Sequence, residues 1–129
     1  MSDYTAKPIS EMDTFYKGLF RRARAEVGAS SFGLAVIELG PDADDHPDHD
    51  HAGGQEEVYV VLRGTGRLEV GGDTIDLEPE TLVRVGPDTK RRIRPGAKGM
   101  RLLAIGGTPG QAYDPPGYTE VGAPDPLAG

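Results

Sequence analysis

The chain contains no cysteine, which excludes disulfides and every form of thiolate chemistry, nucleophilic or metal-binding. It has no apolar run approaching membrane-spanning length. The first residues, Met1 to Pro8, carry Asp3 and Lys7 and no apolar stretch, so they do not read as a secretory signal. Positive charge is scarce: 14 Lys and Arg stand against 21 Asp and Glu, for a formal net charge of -7. A field of that sign repels phosphate backbones and anionic membrane surfaces, so neither nucleic acid nor membrane is expected as a partner. The expectation is a soluble, cytoplasmic protein. At 129 residues the chain is long enough for one hydrophobic core and too short for two ordinary ones.

What is present divides into three parts: a leader over 1–30, a barrel-like middle over 31–107, and a proline- and glycine-rich tail over 108–129 that wraps the barrel. In the leader, Ser10-Glu11-Met12-Asp13 resembles a capping box. Met12, Phe15, Tyr16, Leu19, Phe20 and Ala23 follow at helical spacing, with Gly28 as a stop. A segment at least partly helical over Ser10 to Val27, packed outside the middle, is therefore expected. From Ser31 the pattern changes to short β-like runs: Phe32 to Leu39, Val58 to Leu62, Arg67 to Val70, Thr74 to Leu77, Thr81 to Val85, Arg91 to Arg94 and Met100 to Ile105. Gly71-Gly72-Asp73 reads as a hairpin turn, and Arg63-Gly64-Thr65-Gly66 and Pro95 to Gly99 as further turns. Strands so evenly punctuated indicate an antiparallel sandwich or barrel.

All three histidines fall within six residues, in His46-Pro47-Asp48-His49-Asp50-His51, followed by Gly53-Gly54 and Glu56-Glu57. In an extended segment side chains alternate, so His49 and His51 share a face. Two neutral imidazoles on one face, with a carboxylate from the next strand, are the raw material of a metal site. His46 is the weaker candidate, because its odd spacing from His49 puts it on the opposite face.

His49-x-His51, a short glycine-rich loop, Glu57, and Gly64 after six intervening residues resemble the first motif of the cupins, which are small jelly-roll barrels. Gln55 to Gly64 is similar to that family's second core strand, and counting back from Gly64 selects Glu57, not Glu56, as the counterpart of its metal-binding glutamate. The resemblance implies an all-β, antiparallel jelly-roll barrel over roughly Phe32 to Gly107. It also implies a divalent metal (Fe, Mn, Ni or Zn) on His49, His51 and Glu57, and a homodimer. The second motif departs from the family pattern. Its histidine position falls on Arg91, its leading glycine on Glu80 and its closing asparagine on Pro95.

A guanidinium stays charged and has no lone pair, so Arg91 cannot ligate a metal. Alternation places Arg91 on the face of Ile93, turned inward, with Arg92 and Arg94 opposite. There it either pairs with Glu57 or holds an anionic ligand. Tyr59 shares a face with Glu57 and Val61 and is a candidate for the pocket wall. Three readings stay open. The first is a metal-dependent oxygenase or isomerase on His49, His51 and Glu57. The second is a metal-free module that binds a small-molecule ligand through Arg91 and Tyr59. The third is a structural cupin that forms a dimer without catalysis. With Arg91 replacing a ligand, the absence of any cofactor is as arguable as a metal ion.

Overall fold

The computed structural model describes residues 2–44, 46–47, 49 and 54–126. Seven strands and one short helix are seen: β1 (Thr14–Phe15), β2 (Phe20–Arg21), α1 (Ala23–Val27), β3 (Gly33–Leu39), β4 (Glu56–Val70), β5 (Asp73–Leu77), β6 (Leu82–Val85) and β7 (Arg91–Gly107). All pairings are antiparallel, in the order β1-β2-β3-β7-β4-β5, with β6 also on β4. The fold is an all-β jelly-roll barrel.

Two long strands organise it. The first half of β4 pairs with β6 and the second half with β5, while β7 runs beside both halves. The segments expected as turns at 63–66 and 95–99 are instead bends inside these strands, with register shifts between Val61 and Arg63 and between Gly64 and Gly66. The reason is close approach. Gly64 has φ of 80°, and a Cβ there would lie 2.1 Å from the Gly99 carbonyl oxygen. Glycine therefore lets β4 and β7 pass in contact while both curve, where a turn would have separated them. The hairpin at Gly71-Gly72 forms as expected: Val70 pairs with Asp73, and both glycines have positive φ.

Side chains alternating inward from β3 to β7 form the core. Ile37, Leu39, Val61, Leu68, Leu77, Val85, Ile93 and Leu102 are all buried, and full burial of each such side chain stabilises by about 1.5–3 kcal/mol. The outer face of β3 is covered separately, by Met12 and Ala23 packed on Val36.

The leader is helical only in part, as expected, but most of its apolar stripe is not helix. Its apolar residues form a hairpin, β1 with β2, and helix is confined to Ala23–Val27 and a single 3-10 turn at Ile9–Glu11. Tyr16 and Lys17 adopt left-handed conformations and Gly18 has φ of 90°, so the chain reverses where a helix would continue. Gly28 does end α1 in the left-handed conformation. The tail runs back over this leader. The Asp125 carboxylate accepts hydrogen bonds from the Tyr16 and Lys17 amides at 3.0 and 2.9 Å. Arg24 pairs with Glu120 at 2.5 Å, and Arg22 Nε donates to the Tyr118 carbonyl at 3.0 Å. Among the described residues no helix is long and apolar enough to cross a membrane.

Candidate functional site

The barrel holds an open cavity of about 630 Å³. Its closed end is marked by the buried Tyr59 and His46. Glu57 and Tyr59 reach it from β4, and His46 and His49 from the segment between β3 and β4. Its mouth is formed by the β1–β2 hairpin and the returning tail, including Phe20 and Tyr118.

Glu57 is the hub of the closed end. Tyr59 donates its hydroxyl to Glu57 Oε1 at 2.5 Å, and Arg91 Nη1 donates to the same oxygen at 3.4 Å. His49 Nε2 stands 3.9 Å from it. Arg91 is 0% exposed and also donates through Nη2 to the Gly86 carbonyl at 2.6 Å. Its Nε has no hydrogen-bond partner among the described residues. The inward orientation follows from strand alternation, and a second contact fixes the register: His49 and Arg91 exchange both backbone hydrogen bonds, at 3.1 and 2.8 Å. Residues paired in this way project to the same side, so Arg91 sits beside His49. Arg91 is not in the cavity wall, however; its charge is directed to Glu57 from behind.

The electrostatics follow from these contacts. Interaction with the Glu57 carboxylate raises the pKa of His49 above 6.5 against the cost of burial, and the Pro47 carbonyl, 2.9 Å from Nδ1, adds to this. Both ring nitrogens face oxygens, which favours the imidazolium. Burial, followed by the nearby Glu57 charge, pushes the Tyr59 hydroxyl well above its ordinary range, so it remains a donor. His46 behaves oppositely. Desolvation, then the neighbouring His49, lowers its pKa to about 3. Its Nδ1 accepts the Ile93 amide at 3.0 Å, so the neutral ring carries its proton on Nε2.

Of the expected site residues, the structure brings His49, Glu57 and Tyr59 into one cavity wall. His51 lies outside the described residues. His46 corrects the sequence reading: it is buried in the same cavity wall as His49, with ring centroids 5.4 Å apart, and not on an opposite face. Period-two alternation holds only in a regular strand, and the chain around His49 makes just an isolated bridge. Sequence reasoning also missed Phe15, Tyr16, Phe20, Tyr113 and Tyr118 as wall residues. The first three were absorbed into a helical stripe, and the tail carries no periodic signal.

An antiparallel jelly-roll barrel with a cavity lined by ionisable and aromatic side chains defines a class of small β-barrels able to accommodate a ligand. A model of the cupin domain matches residues 35–106, and the chain belongs to the cupin family. Solved structures agree on the fold. A cupin protein from Bacteroides fragilis superposes with a TM-score of 0.70 at 20% identity, covering 90% of this chain and 93% of that one. A protein from Photorhabdus luminescens gives 0.62 at 13% identity, covering 82% and 88%, and KdgF from Halomonas sp. gives 0.57 at 11%, covering 85% and 88%. At these identities the likeness is one of fold. Comparison with curated proteins found no match.

Proposed function

We propose that the protein is a small-molecule-binding cupin in which His49 and Glu57 meet the ligand at the closed end of the cavity. Arg91 and Tyr59 act as positioning residues for the Glu57 carboxylate. The observation that carries this reading is the triple engagement of Glu57 by Tyr59, Arg91 and His49 within the cavity. A cavity of about 630 Å³ is of the size that holds organic ligands. The carboxylate offers a fixed acceptor, and the His49 ring stands beside it as a second polar group. The test is a small-molecule screen by thermal shift on the intact protein and on Glu57→Gln. Compounds that raise the Tm of the first and not of the second support the reading; a set without such compounds opposes it.

A metal-bound state is the second reading, favoured by one feature. The contact of His49 Nδ1 with the Pro47 carbonyl turns Nε2 toward Glu57, as the outer contacts of a ligating histidine do. The described residues do not complete such a site. Among them no three His, Asp or Glu side chains cluster as a metal would require, and the Arg91 charge lies against the candidate carboxylate. His51 would have to supply the third donor. Replacement of Arg91 by His restores a neutral donor and removes a repelling charge. On the metal reading Arg91→His should bind Mn(II) or Ni(II) about tenfold or more tightly than the unmodified chain, an effect of about 1.4 kcal/mol. Equal affinities in a titration of both would oppose it.

A further inference from the structure

The chain is poor in aromatic residues, with three phenylalanines, five tyrosines and no tryptophan. Six of these eight line this cavity: Phe15, Tyr16, Phe20, Tyr59, Tyr113 and Tyr118. The remaining two, Tyr4 and Phe32, are exposed elsewhere. The six arrive from three separate places in the sequence, namely the leader hairpin with its turn, β4 and the tail. Four of them meet one another around the mouth. Phe15 stacks on Phe20 with centroids 5.3 Å apart, Tyr16 meets Phe20 edge-on at 5.4 Å, and Tyr118 meets Phe15 edge-on at 5.7 Å. Their quadrupoles prefer offset and edge-to-face partners, so such a wall presents matching surfaces to another ring.

Charge narrows the class. Arg24, in the wall, is paired with Glu120, and Arg91 is held by Glu57 behind the wall, so each guanidinium already has a carboxylate partner with which an anion would have to compete. Glu57 is likewise engaged with Arg91 and Tyr59 and faces His49 at 3.9 Å, so a ligand cation would have to compete with these partners, and a ligand anion drawn to His49 would have to compete with Glu57.

Building on the reading of the cavity as the ligand site, we infer that its ligand is an uncharged aromatic ring compound with a hydroxyl or carbonyl group turned toward His49 and Glu57. The ring lies among the aromatic side chains of the mouth, and the polar group meets the hydrogen-bonding pair at the closed end.

Isothermal titration of the full chain near pH 8 with three probes tests the inference: 2-naphthol, its saturated analogue decahydro-2-naphthol, and 2-naphthoate. Hydrophobicity alone favours the saturated compound, and attraction to an unshared arginine would favour the carboxylate. The expected result is 2-naphthol binding about tenfold or more tightly than either. Tyr118→Ala should weaken 2-naphthol about three- to tenfold, by loss of a ring partner. Tyr118 is 43% exposed and its tie to Arg22 uses the backbone carbonyl, so the fold survives this change. Equal or tighter binding of the saturated alcohol overturns the aromatic assignment, and equal or tighter binding of the carboxylate overturns the uncharged one. Either result leaves the cavity as a ligand site. Failure of all three probes to bind at about millimolar concentration overturns the inference, and the cavity reading falls as well only if the broader screen against Glu57→Gln is also blank.

Discussion

Glu56 and Glu57 are neighbours on β4, and each is paired with an arginine, yet the pairs differ in kind. Glu56 meets Arg84 at 2.8 Å on the outside of the barrel, with the side chains 39% and 65% exposed. Glu57 meets Arg91 at 3.4 Å inside, with the side chains 15% and 0% exposed. Distance ranks the outer pair first and burial ranks the inner pair first. Burial decides, because two unit charges about 4 Å apart interact by about 1 kcal/mol in water and about 4 kcal/mol at the effective dielectric of a protein. The pleat of β4 therefore sends two identical residues to opposite roles, one a solvated surface charge and the other the hub of the cavity.

The sharpest way to break this contrast is to remove the inner cation. Arg91→Met keeps an unbranched apolar stem but loses the guanidinium, so Glu57 loses the Arg91 charge and the Gly86 carbonyl keeps only the longer contact with the Thr89 amide. Breaking a buried pair from one side costs about 3–5 kcal/mol. Urea denaturation should show a loss of that order, and Arg91→Met combined with Glu57→Gln should recover part of it. A loss under about 1 kcal/mol would show that water reaches Glu57 as freely as it reaches Glu56.

Tyr59→Phe removes the second support of Glu57 and nothing from Glu56. The lost hydrogen bond is charge-assisted and short, at 2.5 Å, and such bonds contribute about 1.5–3 kcal/mol. Denaturation should show a destabilisation in that range. The pKa of His49 should move with it, as seen by titration of its ring protons, because Glu57 is then free to turn more fully toward the imidazole.

Much of the inner pair was legible in the sequence. Counting back from Gly64 selected Glu57 over Glu56, and alternation after Pro87 turned Arg91 inward, since both residues sit in long regular strands where period two holds. Gly64 itself was legible as a family position, but its physical reason, contact with the Gly99 backbone, is a long-range fact. Reading failed where the backbone is irregular. His46 precedes Pro47 in a segment with no regular strand, so its spacing from His49 did not predict its face. The leader's i, i+3, i+4 apolar stripe suited a helix as well as a hairpin. Tertiary packing over the mouth chose the hairpin, helped by Asp125, 108 residues beyond Lys17, binding its turn. The aromatic wall was invisible for the same reason, because three distant segments have to meet before it exists.

His46 extends the contrast to pH. Its pKa falls from 6.5 in the unfolded chain to about 3 in the folded protein. The unfolded state therefore takes the proton first. The contribution of His46 is complete above pH 6.5, declines as pH falls from there toward about 3, and is then exhausted. The slope in that window is at most about 1.4 kcal/mol per pH unit. His46→Asn keeps an acceptor for the Ile93 amide and cannot titrate, so the stability difference between the two proteins should change with this slope between pH 6 and 4. A difference independent of pH would mean that the ring is protonated in place. Exchange of Glu56 or Arg84 should leave the same window unaltered.

The smallest effect belongs to the outer pair. Arg84→Ala removes a 2.8 Å ion pair whose members are both well exposed. Such pairs offset a modest Coulomb attraction against the ordering of two long side chains and contribute about 0–1 kcal/mol. Denaturation should show a change within about 0.5 kcal/mol, the ordinary range for surface substitutions. What remains should vanish in about 1 M salt, where the screening length falls to about 3 Å, while the loss from Arg91→Met should persist there because mobile ions do not enter the barrel wall. An outer change as large as the inner one, or an inner loss that salt abolishes, would mean that both glutamates stand in the same solvent and that burial is not what separates their roles.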